Sequence, residues 1–204
     1  MKVIGITGGV GAGKSTVLDM IRKNCRCFIL IADEAAHEVE RRGQACYDEL
    51  VGLLGEDILA PDGEIDKKKM AQKIFAAGNK ELLRGVNAIV HPRVKEYILG
   101  LIEEYRIRGN VDFFFIEAAL LIEDGYRAIC DELWYVYAPM EVRAGRLKTS
   151  RGYTDEKIED IMSSQNDDET FRKFCDHVIE NSGDMEETGE QIKVLLDLKD
   201  PLRS

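Results

Sequence analysis

Lys2-Val3-Ile4-Gly5-Ile6-Thr7 is a short β-type run, and Gly8-Gly9-Val10-Gly11-Ala12-Gly13-Lys14-Ser15-Thr16 follows it directly. The second stretch satisfies G-x-x-x-x-G-K-[S/T] in full, with a strand before it and a helix, expected over 14–23, after it. Its glycines admit backbone conformations that a side chain forbids and let N–H groups approach phosphate oxygens. The helix that opens at Lys14 turns its positive dipole end toward the same charge. Gly9, Val10, Gly11, Ala12, Gly13, Lys14, Ser15 and Thr16 are therefore the candidate cradle for ATP. Lys14 is expected to bridge the β- and γ-phosphates, and the Ser15 hydroxyl to ligate Mg²⁺. The bland alternative is a glycine turn that happens to precede Lys-Ser. The motif is silent on the acceptor.

Working outward, further apolar runs occupy 27–32, ending at Asp33, then 111–116, ending at Glu117, then 133–138 and 177–180. Strands apolar on both faces and separated by helices predict a buried parallel sheet, hence a three-layer α/β P-loop NTPase fold with its ligand site outside the carboxyl ends of the strands. Residues 34–108 read as mostly helical and are too long for one crossover helix, which predicts a helical insertion of about 34–110 in a core of about 1–33 and 111–204. His91-Pro92 can end one of its helices and begin the next. A charged helical stretch, 140–165, breaks at Arg151-Gly152, where Thr154 is the expected N-cap of the next helix. A last helix is expected over 186–198 and a frayed tail over 200–204. Asn79-Lys80-Glu81-Leu82 has two letters of the base-reading N-K-x-D, but Leu82 stands where the aspartate is needed.

The 204 residues carry a net charge of -10, so phosphate backbones and anionic membrane surfaces are repelled. An anionic ligand must be held by a local cluster of donors. No apolar run reaches the roughly 18 residues of a membrane span, and the N-terminal run is too short and glycine-interrupted for a signal peptide. The 5 cysteines are scattered and lack zinc-ligand spacing, which points to reduced thiols in the cytoplasm.

Several landmarks, in order and spacing, resemble the dephospho-coenzyme A kinases over nearly the whole chain. They are the loop Thr7 to Ser15, Ile31-Ala32-Asp33 with Ala36-His37, His91-Pro92, and Leu120-Leu121-Ile122-Glu123. The arginines after Pro139, Gln165, and Asp176-His177-Val178-Ile179-Glu180-Asn181-Ser182-Gly183 complete the set. The resemblance implies a nucleotide-binding core, a helical region that receives dephospho-coenzyme A, a lid of about 140–165, and a monomer or weak homo-oligomer. It implies that Asp33 stands beside the acceptor hydroxyl, as an acid at the carboxyl end of the strand neighbouring the phosphate loop, although the same residue suits a helix N-cap. Thr7, His37, His91 and Leu120 fall in the implied acceptor site, and packing histidines are the competing reading for His37 and His91. Arg143, Arg146 and Arg151 fall in the lid, with Arg146 assigned to catalysis beside Lys14, against the alternative of a solvated charged helix. Asn181 is assigned to the nucleotide. Glu117 suits a Walker-B acid near Mg²⁺ or a loop cap. Four positions depart from the pattern. Ile31 replaces an acid, Ala119 a proline, Arg143 a glutamine and Ile161 an arginine. The rival expectations are another small-molecule kinase on this fold and a non-catalytic ATP-binding module.

Overall fold

The computed structural model describes residues 1–76 and 80–197. Asn79, Leu198 and the tail 200–204 lie outside the described residues. The elements run β1 (Lys2–Thr7), α1 (Lys14–Asn24), β2 (Cys27–Ile31), α2 (Ala32–Val39), α3 (Tyr47–Leu54), α4 (Lys67–Ile74), α5 (Lys80–Arg108), β3 (Phe113–Glu117), β4 (Glu132–Tyr137), α6 (Met140–Arg151), α7 (Asp155–Ser163), α8 (Asp168–Phe174), β5 (His177–Glu180) and α9 (Met185–Asp197). Contacts divide them into two compact units, one of Met1–Leu30 with the chain from Tyr105 onward, the other of Ile31–Glu104.

The first unit is an α/β layer structure on a sheet ordered β2-β3-β1-β4-β5. Ile4 lies opposite Phe115 on one side and Glu132 on the other, in parallel pairings, and β4 pairs in parallel with β5. Successive strand residues point to opposite faces, and both faces are covered. Phe115 packs edge-on against Trp134 and stacks with Phe113 on one face. Phe114 meets Phe28 and Tyr105 on the other. Phe114, Phe115, Ile116 and Trp134 are fully buried, and each such side chain contributes about 1.5–3 kcal/mol by leaving water. Helix α9 packs on α1 and on β5. Chain order reverses across β1, so the turn after β1 opens at the switch point of the sheet.

The second unit is helical. Asp66 caps α4 by accepting from the Lys68 and Lys69 amides at 2.9 and 3.1 Å. Glu40, buried, is neutralised by an ion pair with Lys67.

Several local expectations are corrected. Pro92 lies inside α5 rather than between two helices. Val86, Val90, Val94, Ile98 and Ile102 form a buried seam at four-residue spacing, which carries the helix through the missing N–H. Strand β2 ends at Ile31, which is the N-terminal flank of α2, so Asp33 sits in the first helical turn and is not the N-cap. There its carboxylate complements the helix dipole. The strand beside β1 is β3, not β2, so Glu117 rather than Asp33 ends the strand adjoining the phosphate loop. β3 begins at Phe113, two residues later than expected. Helix α8 was not anticipated, although Asp167 caps it by accepting from the Thr170 amide at 2.8 Å.

Candidate active site

The loop between β1 and α1 closes on Gly13, with φ 91° and ψ 32° in the left-handed region. A Cβ at Gly13 would overlap the Asn181 side-chain amide, so glycine is required here for both backbone and space. A Cβ at Gly9 would likewise run into the Arg143 guanidinium.

Three side chains hold the loop by its carbonyls. Arg143 Nε donates to Val10 O at 2.9 Å, and Arg146 Nη1 donates to Ala12 O at 3.1 Å and Gly11 O at 3.5 Å. Asn181 Nδ2 donates to Ala12 O at 2.7 Å. In a planar trans peptide the N–H points opposite to its carbonyl. The N–H groups of Gly11 and Gly13 therefore face away from this cluster, as an anion cradle requires. The cluster is braced in turn. Arg146 Nη2 donates to Asn181 O at 2.7 Å, and Thr188, 1% exposed, lies 3.3 Å through Oγ1 from Asn181 Oδ1. Burial draws the Arg143 guanidinium below the usual arginine value, partly offset by Tyr135.

Lys14 Nζ donates to Gly8 O at 2.8 Å and lies 3.5 Å from Glu117 Oε1. Ser15 is exposed in the first turn of α1, and Thr16 is half-buried behind it. Thr7 is fully buried, with Oγ1 3.5 Å from Ala119 O, and the neighbouring Leu120 is 49% exposed. Thus Thr7, the loop residues, Lys14, Glu117, Arg143, Arg146 and Asn181 converge in the first unit.

The other expected site residues have different surroundings. Arg151 is exposed at the end of α6, its guanidinium 5.9 Å from the Tyr153 ring centroid. Asp33, His37 and His91 belong to the second unit and are all exposed, Asp33 and His37 four apart on α2. Four-residue spacing puts those two on one helix face.

Two participants had no assigned role in the sequence. Gln165 Oε1 accepts from the Val10 amide at 3.1 Å and from Arg143 Nη2 at 2.7 Å. Thr188 braces Asn181. Both act through hydrogen bonds to residues far along the chain, and neither periodicity nor spacing marks such contacts. The departure at Arg143 is thus placed on the phosphate loop and tied to Gln165.

Among the described residues no group of three or more His, Cys, Asp or Glu is arranged to hold a metal ion, and no helix is long and apolar enough to cross a membrane.

The family model for dephospho-CoA kinase (CoaE) matches residues 2–187. A dephospho-CoA kinase of Bacillus licheniformis is 37% identical over 196 residues, covering 96% of this chain and 95% of the relative. A crystal structure from Thermus thermophilus superposes with TM-score 0.78 at 29% identity, covering 97% of each chain. A dephospho-CoA kinase structure from Campylobacter jejuni superposes with TM-score 0.71 at 21% identity over 98% of each chain, which bears on the fold. With the phosphate loop, the parallel sheet and a match over nearly its full length, this chain belongs to the dephospho-CoA kinase family.

Proposed function

We propose that this chain transfers the γ-phosphoryl group of ATP to the ribose 3′-hydroxyl of dephospho-coenzyme A, giving coenzyme A and ADP. The observation that carries the proposal is the phosphate loop itself, complete in sequence and held by Arg143, Arg146 and Asn181 with its Gly11 and Gly13 N–H groups turned the other way.

The triphosphate lies against the backbone of Gly9 to Thr16, where N–H groups and the α1 dipole supply positive potential. Lys14, which contacts Gly8 O and Glu117, exchanges the first contact for the β- and γ-phosphates. The Ser15 hydroxyl and the Glu117 carboxylate offer a sparse oxygen donor set, which fits Mg²⁺, an ion that keeps several waters and takes phosphate oxygens. When bound, Mg²⁺ neutralises charge on the β- and γ-phosphates. Arg146 and Asn181 keep the loop in shape for nucleotide. Arg151 closes from the lid formed by α6 and α7, which excludes water and limits wasteful hydrolysis. Asp33 orients the 3′-hydroxyl of the acceptor, and Thr7, His37, His91 and Leu120 are its further contacts. The 3′ oxygen attacks phosphorus in line, the bond to the β–γ bridging oxygen breaks, and the hydroxyl proton passes to Asp33. In a loose transition state that proton leaves late, so Asp33 serves mainly by orientation. The enzyme works in the cytoplasm as a monomer or weak homo-oligomer. Its 5 scattered cysteines are in keeping with a reducing compartment.

The test is ADP release from ATP-Mg²⁺ by the purified protein with dephospho-coenzyme A, AMP or gluconate as acceptor. Release that requires dephospho-coenzyme A is expected. Release with AMP or gluconate instead refutes the acceptor, and ATP binding without any turnover favours a non-catalytic module.

A further inference from the structure

Gln165 and Asn166 are consecutive residues in the link between α7 and α8, and their side chains reach two different loops. Gln165 Oε1 accepts from the Val10 amide at 3.1 Å and from Arg143 Nη2 at 2.7 Å. With Arg143 Nε on the Val10 carbonyl at 2.9 Å, both backbone polar groups of Val10 are fixed from the lid side. Asn166 Nδ2 donates to Glu123 Oε1 at 2.7 Å. Glu123 lies within the turn that follows β3, the turn that holds Ala119 against Thr7 and presents the half-exposed Leu120.

The link itself is anchored on both sides. The Gln165 amide donates to Met162 O at 3.3 Å, and Asp167 accepts from the Thr170 amide at 2.8 Å. Consecutive Cα atoms are held about 3.8 Å apart by the trans peptide, so a displacement imposed at Gln165 is passed to Asn166. An amide donating to a carboxylate is charge-assisted, which favours a short bond with one geometry. A nucleotide that settles the Val10 backbone therefore also settles the turn after β3.

We infer that Gln165 and Asn166 are positioning residues that couple the phosphate loop to the turn at 119–123, so that ATP and the acceptor each tighten the binding of the other. This rests on the proposal that dephospho-coenzyme A is the acceptor and meets the Leu120 turn. Neither residue touches the reacting atoms. By linkage the two ligands must enhance each other by the same factor.

The experiment measures the Kd of a non-hydrolysable ATP analogue with Mg²⁺, with and without saturating dephospho-coenzyme A, and the reciprocal pair. For the unaltered protein a factor of about 5 is expected in both directions, at the lower end of usual couplings. Asn166→Asp sets carboxylate against carboxylate, and the factor falls to about 1 while the analogue alone binds as before. Glu123→Ala, at an exposed position, gives the same loss without threatening the fold. The double variant Asn166→Asp/Glu123→Gln exchanges donor and acceptor and restores the factor, a rescue that a merely structural role does not produce. A factor unchanged in both single variants, or a folded double variant that shows no recovery, overturns the inference. If dephospho-coenzyme A binds the unaltered protein but the factor is 1, the coupling fails and the acceptor assignment stands. If it does not bind at all, both fall.

Discussion

Gly13→Ala tests the geometry of the phosphate loop most directly, because two separate costs meet at one position. The first is backbone strain. At φ 91° and ψ 32° an L side chain is disfavoured, which costs about 1–2 kcal/mol. The second is space. The new Cβ would overlap Asn181 Nδ2, which donates to Ala12 O at 2.7 Å from a residue only 5% exposed. Displacing that amide leaves a buried donor and a weakened acceptor, at about 1–3 kcal/mol. Together the loss is about 2–5 kcal/mol. For a chain of this size each kcal/mol lowers Tm by about 2–4 °C, so the expected fall is on the order of 10 °C. The control is Gly152→Ala, where φ is 62° but the space is open, so only the strain remains. Thermal and urea unfolding of both variants, with binding of a non-hydrolysable ATP analogue, separates the two contributions. Adding Asn181→Ala to Gly13→Ala removes the overlap, so the double variant loses less stability than the sum of the singles. A Gly13→Ala protein no less stable than Gly152→Ala, or singles that simply add, would refute this account of the loop.

Lys14→Met removes phosphate positioning together with charge stabilisation, and kcat with dephospho-coenzyme A falls by at least about 100-fold; a loss of less than tenfold contradicts its role. Asp176 is pushed up by burial but held below the ordinary carboxylate value by the Arg127 guanidinium and the Leu133 amide. A depressed carboxylate contributes stability above its unfolded pKa of about 4 and loses it as pH falls through the folded value. Asp176→Asn is thus destabilising at pH about 7, with a gap that closes in acid; urea midpoints across pH check this, and a constant gap rules it out. Among the thiols, a hydrogen bond from Cys25, aided by Arg22, lowers the Cys27 pKa against the opposing effect of burial. Burial raises Cys46 to about 11 and Cys130 and Cys175 to about 12. Limiting iodoacetamide should therefore alkylate Cys27 before those three, as read by mass spectrometry, and labelling of Cys130 first would count against it.

Legibility differed by element. The phosphate loop, the five strands and the break at Gly152 were readable because each depends on local pattern: a motif, an apolar run, a glycine at φ 62°. Thr154 caps α7 as its spacing implied, accepting from the Lys157 amide at 3.3 Å. Pro92 misled because a local rule about a missing N–H was outweighed by a long buried seam along α5. The neighbour of β1 was misread for a different reason. Which strand adjoins β1 depends on the order of the sheet, and β3, more than a hundred residues downstream of β1, took that place.

By itself the sequence determined that a phosphate loop opens an α/β sheet, and that its glycines, Lys14 and Ser15 stand in the right order to hold a triphosphate. Only the tertiary structure decided which side chains shape that loop. Arg143 reaches Val10 across 133 positions, and Asn181 reaches Ala12 across 169. Lys14 meets Glu117 because β3 lies beside β1. Local backbone preferences act over a few residues and are written in consecutive letters. Hydrogen bonds between distant segments exist only once the sheet has set which strands, and which loops after them, are neighbours.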